Sequence, residues 1–268
     1  MVVPNAQRLL PLLLHAAALC TTSPAPCPPQ PVRPTHTTLG FITTPNQTEW
    51  TNSYCWRQLT HVAWCHLEVG ATGNLTPAWV PADWRLVPQL VSHVHSESPW
   101  TKVLLTVAIS GHATEPAENK SAFLLNESRW PRFLAALAQR IHGADADGVI
   151  FDMEHIDKVA GGLAAYSKLV LRTAAHLRGL LRPRGRSTLQ TMLCTAQYTR
   201  VLPMPYVALA EGIDGLFLMD YSDHGVSSQF AGPVTQLHST TMKHPPVECQ
   251  RNAPYGSLPG IDGVVVQW

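Results

Sequence analysis

The sequence predicts an α/β chain of the (β/α)8 barrel class, a TIM-type barrel that is incomplete, with about six strand–helix units recognisable. Three observations carry this. Within a barrel region of residues 37–268, short apolar runs alternate with longer stretches of helical period from Thr38 to Tyr221, and such alternation builds a parallel sheet with helical crossovers. No GxGxxG or P-loop pattern marks a nucleotide site, which lowers the doubly wound alternative. Asp152, Glu154 and Tyr221 all fall at the C-terminal ends of expected strands, where barrels of this kind carry their sites.

The elements follow in order. Thr38 to Ile42 and Leu59 to Cys65 read as the first two strands. Pro81 to His95 reads as a helix with Trp84, Val87, Leu90, Val91 and Val94 on one side and a kink at Pro88. Lys102 to Ile109 is a third strand. In the next helix Ser128 is the expected cap, Pro131 sits in the first turn, Phe133, Leu134, Leu137, Ala138 and Ile141 form the apolar face, and Gly143 is the stop. Asp147 to Glu154 is the fourth strand, Leu163 to Leu181 a long helix, Ser187 to Cys194 the fifth strand, Val207 to Glu211 a short helix and Gly215 to Tyr221 the sixth strand.

Ahead of this region, residues 1–22 have the form of a secretory signal peptide: Arg8 precedes the apolar run Leu9 to Cys20, too short to span a bilayer. Residues 23–36 form a Pro-rich linker. Four glycosylation sequons start at Asn46, Asn74, Asn119 and Asn126, each in an expected loop. These features predict a secreted or lysosomal protein. The six cysteines fit an oxidising compartment, and Cys55 with Cys65 is one available bridge.

Composition bounds the function. With 45% hydrophobic and 14% charged residues and a formal net charge of +1, the chain carries no argument for nucleic acid or for an anionic membrane. Arg172, Arg178, Arg182, Arg184 and Arg186 read as one solvated helix face and its exit. No CxxC or HExxH pattern occurs, His93 and His95 read as surface residues of a helix end, and no metal or cofactor is expected. A monomer is expected.

The octet Asp147-Gly148-Val149-Ile150-Phe151-Asp152-Met153-Glu154 holds the chemistry. Strand side chains alternate, so Ile150, Asp152 and Glu154 share one face and Val149, Phe151 and Met153 the other. Two acids side by side at a strand end are costly to hold and suit acid–base work. The alternative is a strand running into an acidic surface loop.

The octet resembles the DxxDxDxE signature of glycoside hydrolase family 18, the chitinase family. Asp147, Asp152 and Glu154 match three of its four acids, and Ile150 stands where the other acid belongs. Met219-Asp220-Tyr221 resembles the family's sixth-strand M-x-Y, and Asn252-Ala253-Pro254-Tyr255 resembles part of the loop after it. Within the family the likeness is greatest to the lysosomal di-N-acetylchitobiase group. The resemblance implies hydrolysis of β-1,4 bonds between N-acetylglucosamine units, with retention and without a protein nucleophile, because the substrate's own acetamide oxygen attacks. It implies Glu154 as general acid and base, with a raised pKa, Asp152 as the group that orients the acetamide, and Tyr221 as its hydrogen-bond donor. Met219 and Asp223 would line the substrate. Asp147 is a third candidate for substrate binding, although its phase along the strand suits a capping role at the strand's start. The expected partner is an oligosaccharide containing N-acetylglucosamine.

Three departures stand against full activity. Ile150 replaces the polar partner of Asp152, Ser222 follows Tyr221 where Asp is usual, and Thr106-Val107-Ala108-Ile109 replaces the SxGG-like third strand. Only a short stretch follows Tyr221, so a truncated barrel is expected. Two other readings stay open: a catalytically weak lectin for N-acetylglucosamine oligomers, and a non-functional fragment.

Overall fold

The computed structural model describes residues 33–42, 54–77, 81–109, 122–154, 156–180, 188–196 and 204–219. Seven strands form one sheet: β1 (Leu39–Ile42), β2 (His61–Val69), β3 (Leu75–Pro77), β4 (Lys102–Ala108), β5 (Gly148–Phe151), β6 (Gln190–Ala196) and β7 (Gly215–Met219). The order is β1-β2-β4-β5-β6-β7, every neighbouring pair parallel, with β3 antiparallel on β2. The chain returns between parallel strands through α1 (Val87–Glu97), α2 (Trp130–Ala144), α3 (Gly162–Arg178) and α4 (Tyr206–Gly212). The sheet curls: Phe41 on β1 and Phe217 on β7, at the two ends of the strand order, meet with ring centroids 5.3 Å apart. This is a partial (β/α) barrel.

Period two divides the sheet into two packed faces. Val62, Trp64, Val103, Leu105, Val107, Val149, Phe151 and Leu193 face outward into the main core. There they meet Leu90 and Val94 of α1, Phe133, Leu137 and Ile141 of α2, and Leu169, Val170 and Leu177 of α3. Ala63, Leu104, Ile150, Met192, Cys194 and Met219 face inward as a second, smaller cluster. Each fully buried large side chain contributes about 1.5–3 kcal/mol relative to exposure, so the outward face holds most of the fold's stability. A register shift between Trp64 and Leu67 keeps β2 in phase with β4 on both sides of it.

Several element ends differ from expectation. Pro88 does not kink a helix from Pro81. A 3-10 turn, Pro81–Leu86, comes first, and Pro88 lies in the first turn of α1, where a missing N–H costs nothing. Asn126, not Ser128, caps the start of the next helix: its Oδ1 accepts from Ser128 N at 3.2 Å, and a 3-10 turn leads into α2. α2 runs through Gly143 and ends at Asp145, whose φ of 54° turns the chain and lets its N–H reach the His142 and Ile141 carbonyls. β3 was not expected, being three residues long and containing a proline.

The Cys55–Cys65 bridge, one of those available from the sequence, does not form. Cys65 keeps a free thiol because β2 turns it inward, 3.5 Å from Thr106 Oγ1, while Cys55 is in a disulfide. His95 is not a surface residue. Its Nε2 lies 2.7 Å from Asp147 Oδ2, which ties the end of α1 to the start of β5.

Candidate active site

β5 carries the central residues. Its outward side chains, Val149 and Phe151, are fully buried and fix the strand against the helices. Alternation then sends Ile150 and Asp152 to the inward face. The Asp152 N–H donates to the Val107 carbonyl at 2.9 Å, so the parallel ladder with β4 extends one step past β5 and holds the Asp152 backbone in strand register. Glu154 follows two residues later and is exposed. The burial expected for the proton donor falls instead on its neighbour.

Asp152 is half-buried, and among the described residues its shielded Oδ1 has no hydrogen-bond partner. Burial, and after it the charge of Glu154, push its carboxyl up to about 6. Ile150, two residues earlier on the same inward face, is fully buried and offers no donor to offset that burial. Cys65 on β2, Thr106 on β4 and Cys194 on β6 line the same floor. Burial raises both thiols, and the Asp152 charge adds to each. Burial likewise pushes the Tyr166 phenol of α3 upward, with smaller contributions from Cys194 and Asp152. Sequence pattern marks Cys65 and Thr106 for other reasons and assigns none of the four to the site. The signal for Cys65, Thr106 and Cys194 was the inward phase of their strands, which becomes informative only once the neighbouring strands are known; no such signal marks Tyr166 on α3.

Asp147 is not brought to this pair. It lies at the other end of β5, roughly 16 Å away at strand rise. Its Oδ2 accepts from the Val103 N–H at 2.9 Å and meets His95, and Lys102 Nζ lies 3.7 Å from Oδ1. Burial alone would raise this carboxyl, but the His95 and Val103 hydrogen bonds and the His95 and Lys102 charges outweigh it and hold it at about 2. Met219 ends β7 and is buried in the inward cluster with Ile150 and Met192. Tyr221, Asp223 and the 252–255 segment lie outside the described residues. Among the described residues, no group of three or more His, Cys, Asp or Glu side chains is arranged to hold a metal ion.

Chemically, the arrangement joins a shielded carboxyl that exchanges its proton near pH 6 with an exposed carboxyl two residues on. Both sit just past the C-terminal end of a parallel strand.

No protein-family model and no curated protein matches the chain. Solved structures do. A GH18 chitinase from Cycas revoluta in complex with (GlcNAc)4 aligns at a TM-score of 0.65 and 20% identity, over 78% of this chain and 61% of that one. A class V chitinase from Nicotiana tobaccum aligns at 0.63 and 18%, over 76% and 58%. An immunomodulatory active chitinase from Trichuris suis aligns at 0.60 and 16%, over 82% and 60%. The chain thus spans about three-fifths of the length of these chitinases. In its curled parallel sheet and flanking helices, this chain has the fold of part of a family 18 chitinase barrel.

Proposed function

We propose that the protein hydrolyses β-1,4 linkages between N-acetylglucosamine units by substrate-assisted, retaining catalysis, in the manner of di-N-acetylchitobiase. The observation that carries this reading is the Asp152–Glu154 pair at the C-terminal end of β5, with Asp152 shielded and raised to about 6. Glu154, exposed toward solvent and ligand, protonates the leaving oxygen and then activates water. Asp152 takes the acetamide N–H and steadies the cyclic cation as charge develops. Tyr221 aims the acetamide oxygen. Solved relatives of this fold are complexed with GlcNAc oligomers, which supports a ligand of that class. The leader-like segment and the sequons support delivery to the lysosome or the cell exterior; Asn126, one of the four acceptors, is exposed.

The test is hydrolysis of di-N-acetylchitobiose across pH 4–7, on both sides of the Asp152 pKa of about 6, by the full chain and by Glu154→Gln. Cleavage by the natural chain that drops at least about a hundredfold in the variant is expected. Cleavage that survives the substitution would remove Glu154 from its role.

One observation favours a second reading. Ile150 leaves Asp152 without a buried polar partner, which suits a lectin that binds N-acetylglucosamine oligomers without turnover. Calorimetric binding of a tetramer by a chain that cleaves nothing would select it.

A further inference from the structure

At the opposite end of the strands from Asp152 lies a cavity of about 300 Å³. It is ringed by the N-terminal ends of β2, β4, β6 and β7 and by the segment leading into β1. Its chemistry comes from Arg33, His36, His61, Trp100, Lys102 and Gln190. His61 anchors it. Its Nε2 lies 3.0 Å from Gln190 Oε1 and its Nδ1 2.8 Å from Thr60 Oγ1, so both ring nitrogens are engaged by the wall.

The charged lining points to an acceptor-rich ligand. Donors outweigh acceptors: Arg33 and Lys102 are full cations, and against them stands one lining carboxylate, Asp214, whose Oδ2 already accepts from the Thr191 N–H at 2.7 Å. Lys102 also faces Asp147 at 3.7 Å, which leaves the exposed Arg33 as the cation most open to a ligand. Trp100 also lines this wall. Its indole Nε1 is shielded from water, so the ring borders the cavity and reports on it without donating into it. The His61 ring agrees: burial, and further down the order the charges of Lys102 and Arg33, hold its pKa down against the Gln190 bond and Asp147. The ring is thus held toward its neutral form chiefly by burial, and the two cations add a smaller contribution of the same sign that a bound anion would offset.

We infer that this cavity binds a small oxyanion, a phosphate or a carboxylate, held by Arg33 and Lys102 beside the Trp100 ring. The volume lies at the lower end of ligand pockets and fits a small ligand. The site lies at the far end of the strands from the candidate active site, so its occupancy does not depend on hydrolytic activity.

The test uses the ¹⁵N-labelled full chain. The chain has 8 tryptophans, so the Trp100 indole N–H is assigned as the signal lost in Trp100→Phe. Inorganic phosphate and, separately, succinate are titrated at constant ionic strength. The expected result is a saturable shift of the Trp100 resonance with one or both, weakened about tenfold or more in Arg33→Gln, since charge-assisted bonds are the strong ones. Arg33 is exposed, so that variant is expected to keep the natural melting temperature. Response to phosphate alone, to succinate alone, or to both identifies which oxyanion the site takes. No saturable shift with either, an equal shift with sodium chloride, or a shift undiminished in Arg33→Gln overturns the inference.

Discussion

Asp152 stands between the buried Ile150 two residues before it and the acid Glu154 two residues after it, and both disfavour its charge. Its folded pKa of about 6 lies above the ordinary 3.8, so the folded state holds this proton more tightly than the unfolded chain does. Stability is therefore greatest below the ordinary value and declines as pH rises toward about 6. Asp152→Asn is expected to raise stability at pH 7 by about 2 kcal/mol or less and to leave it unchanged near pH 3.5, read by urea unfolding at both pH values. An equal effect at both would mean that the charge is not what costs. The pair itself was legible in the sequence, because period two alone places Asp152 and Glu154 on one face. Which of the two is shielded was not legible, because that depends on Cys65, Thr106 and Cys194 from strands far apart in the chain.

At the scale of elements, β5 is pinned at its start by two devices. One is the Asp147 carboxylate, which joins the Val103 amide of β4 and His95 of α1. Its folded pKa of about 2 lies below the ordinary 3.8, so its contribution is present above the ordinary value and lost as pH falls toward 2. Replacing His95 leaves a buried carboxylate short of a partner. His95→Ala is expected to cost about 2–3 kcal/mol in urea unfolding at pH 7, and the deficit should shrink on acidification toward pH 2–3 as Asp147 takes up a proton. The other device is Gly148, with φ of 153° and a Cβ position only 2.0 Å from the Gln190 carbonyl. That atom is backbone in the paired strand β6, so it has no room to give. Gly148→Ala is expected to lower the melting temperature by about 10 °C or more, or to prevent folding, checked by thermal denaturation. Helix and strand existence was readable from apolar period. Cap identities were not: Asn126 and Asp145 displaced Ser128 and Gly143 because each end is set by which backbone groups the neighbouring turn leaves unpaired.

For the whole molecule, the curl of the sheet is the deciding feature. Phe41 and Phe217 belong to strands that are not neighbours in the sheet, yet their rings pack edge to face, so they report directly on how far the two ends approach. A double-mutant cycle of Phe41→Ala and Phe217→Ala is expected to give a coupling of about 0.5–1.5 kcal/mol by urea unfolding. A coupling near zero would mean that the sheet lies more open in solution. The same curl gathers the N-terminal strand ends around His61 and the C-terminal ends around Asp152, so the two ends of one sheet present different chemistry.

Local pattern alone carried the alternation of strands and helices, the parallel sheet that alternation requires, the two-faced strand of residues 148–151 and the acid pair beyond it. Each of these is a local property, set by side-chain period and by chain direction. The remaining features arise from long-range packing. The His95–Asp147 contact joins residues 52 apart in the chain. The Cys65 thiol faces Thr106, 41 residues on, rather than Cys55. The shielding of Asp152 and the donor-rich cavity at His61 also arise between strands that no local pattern relates. Burial and electrostatic environment depend on which strands become neighbours, and period along one strand carries no record of that.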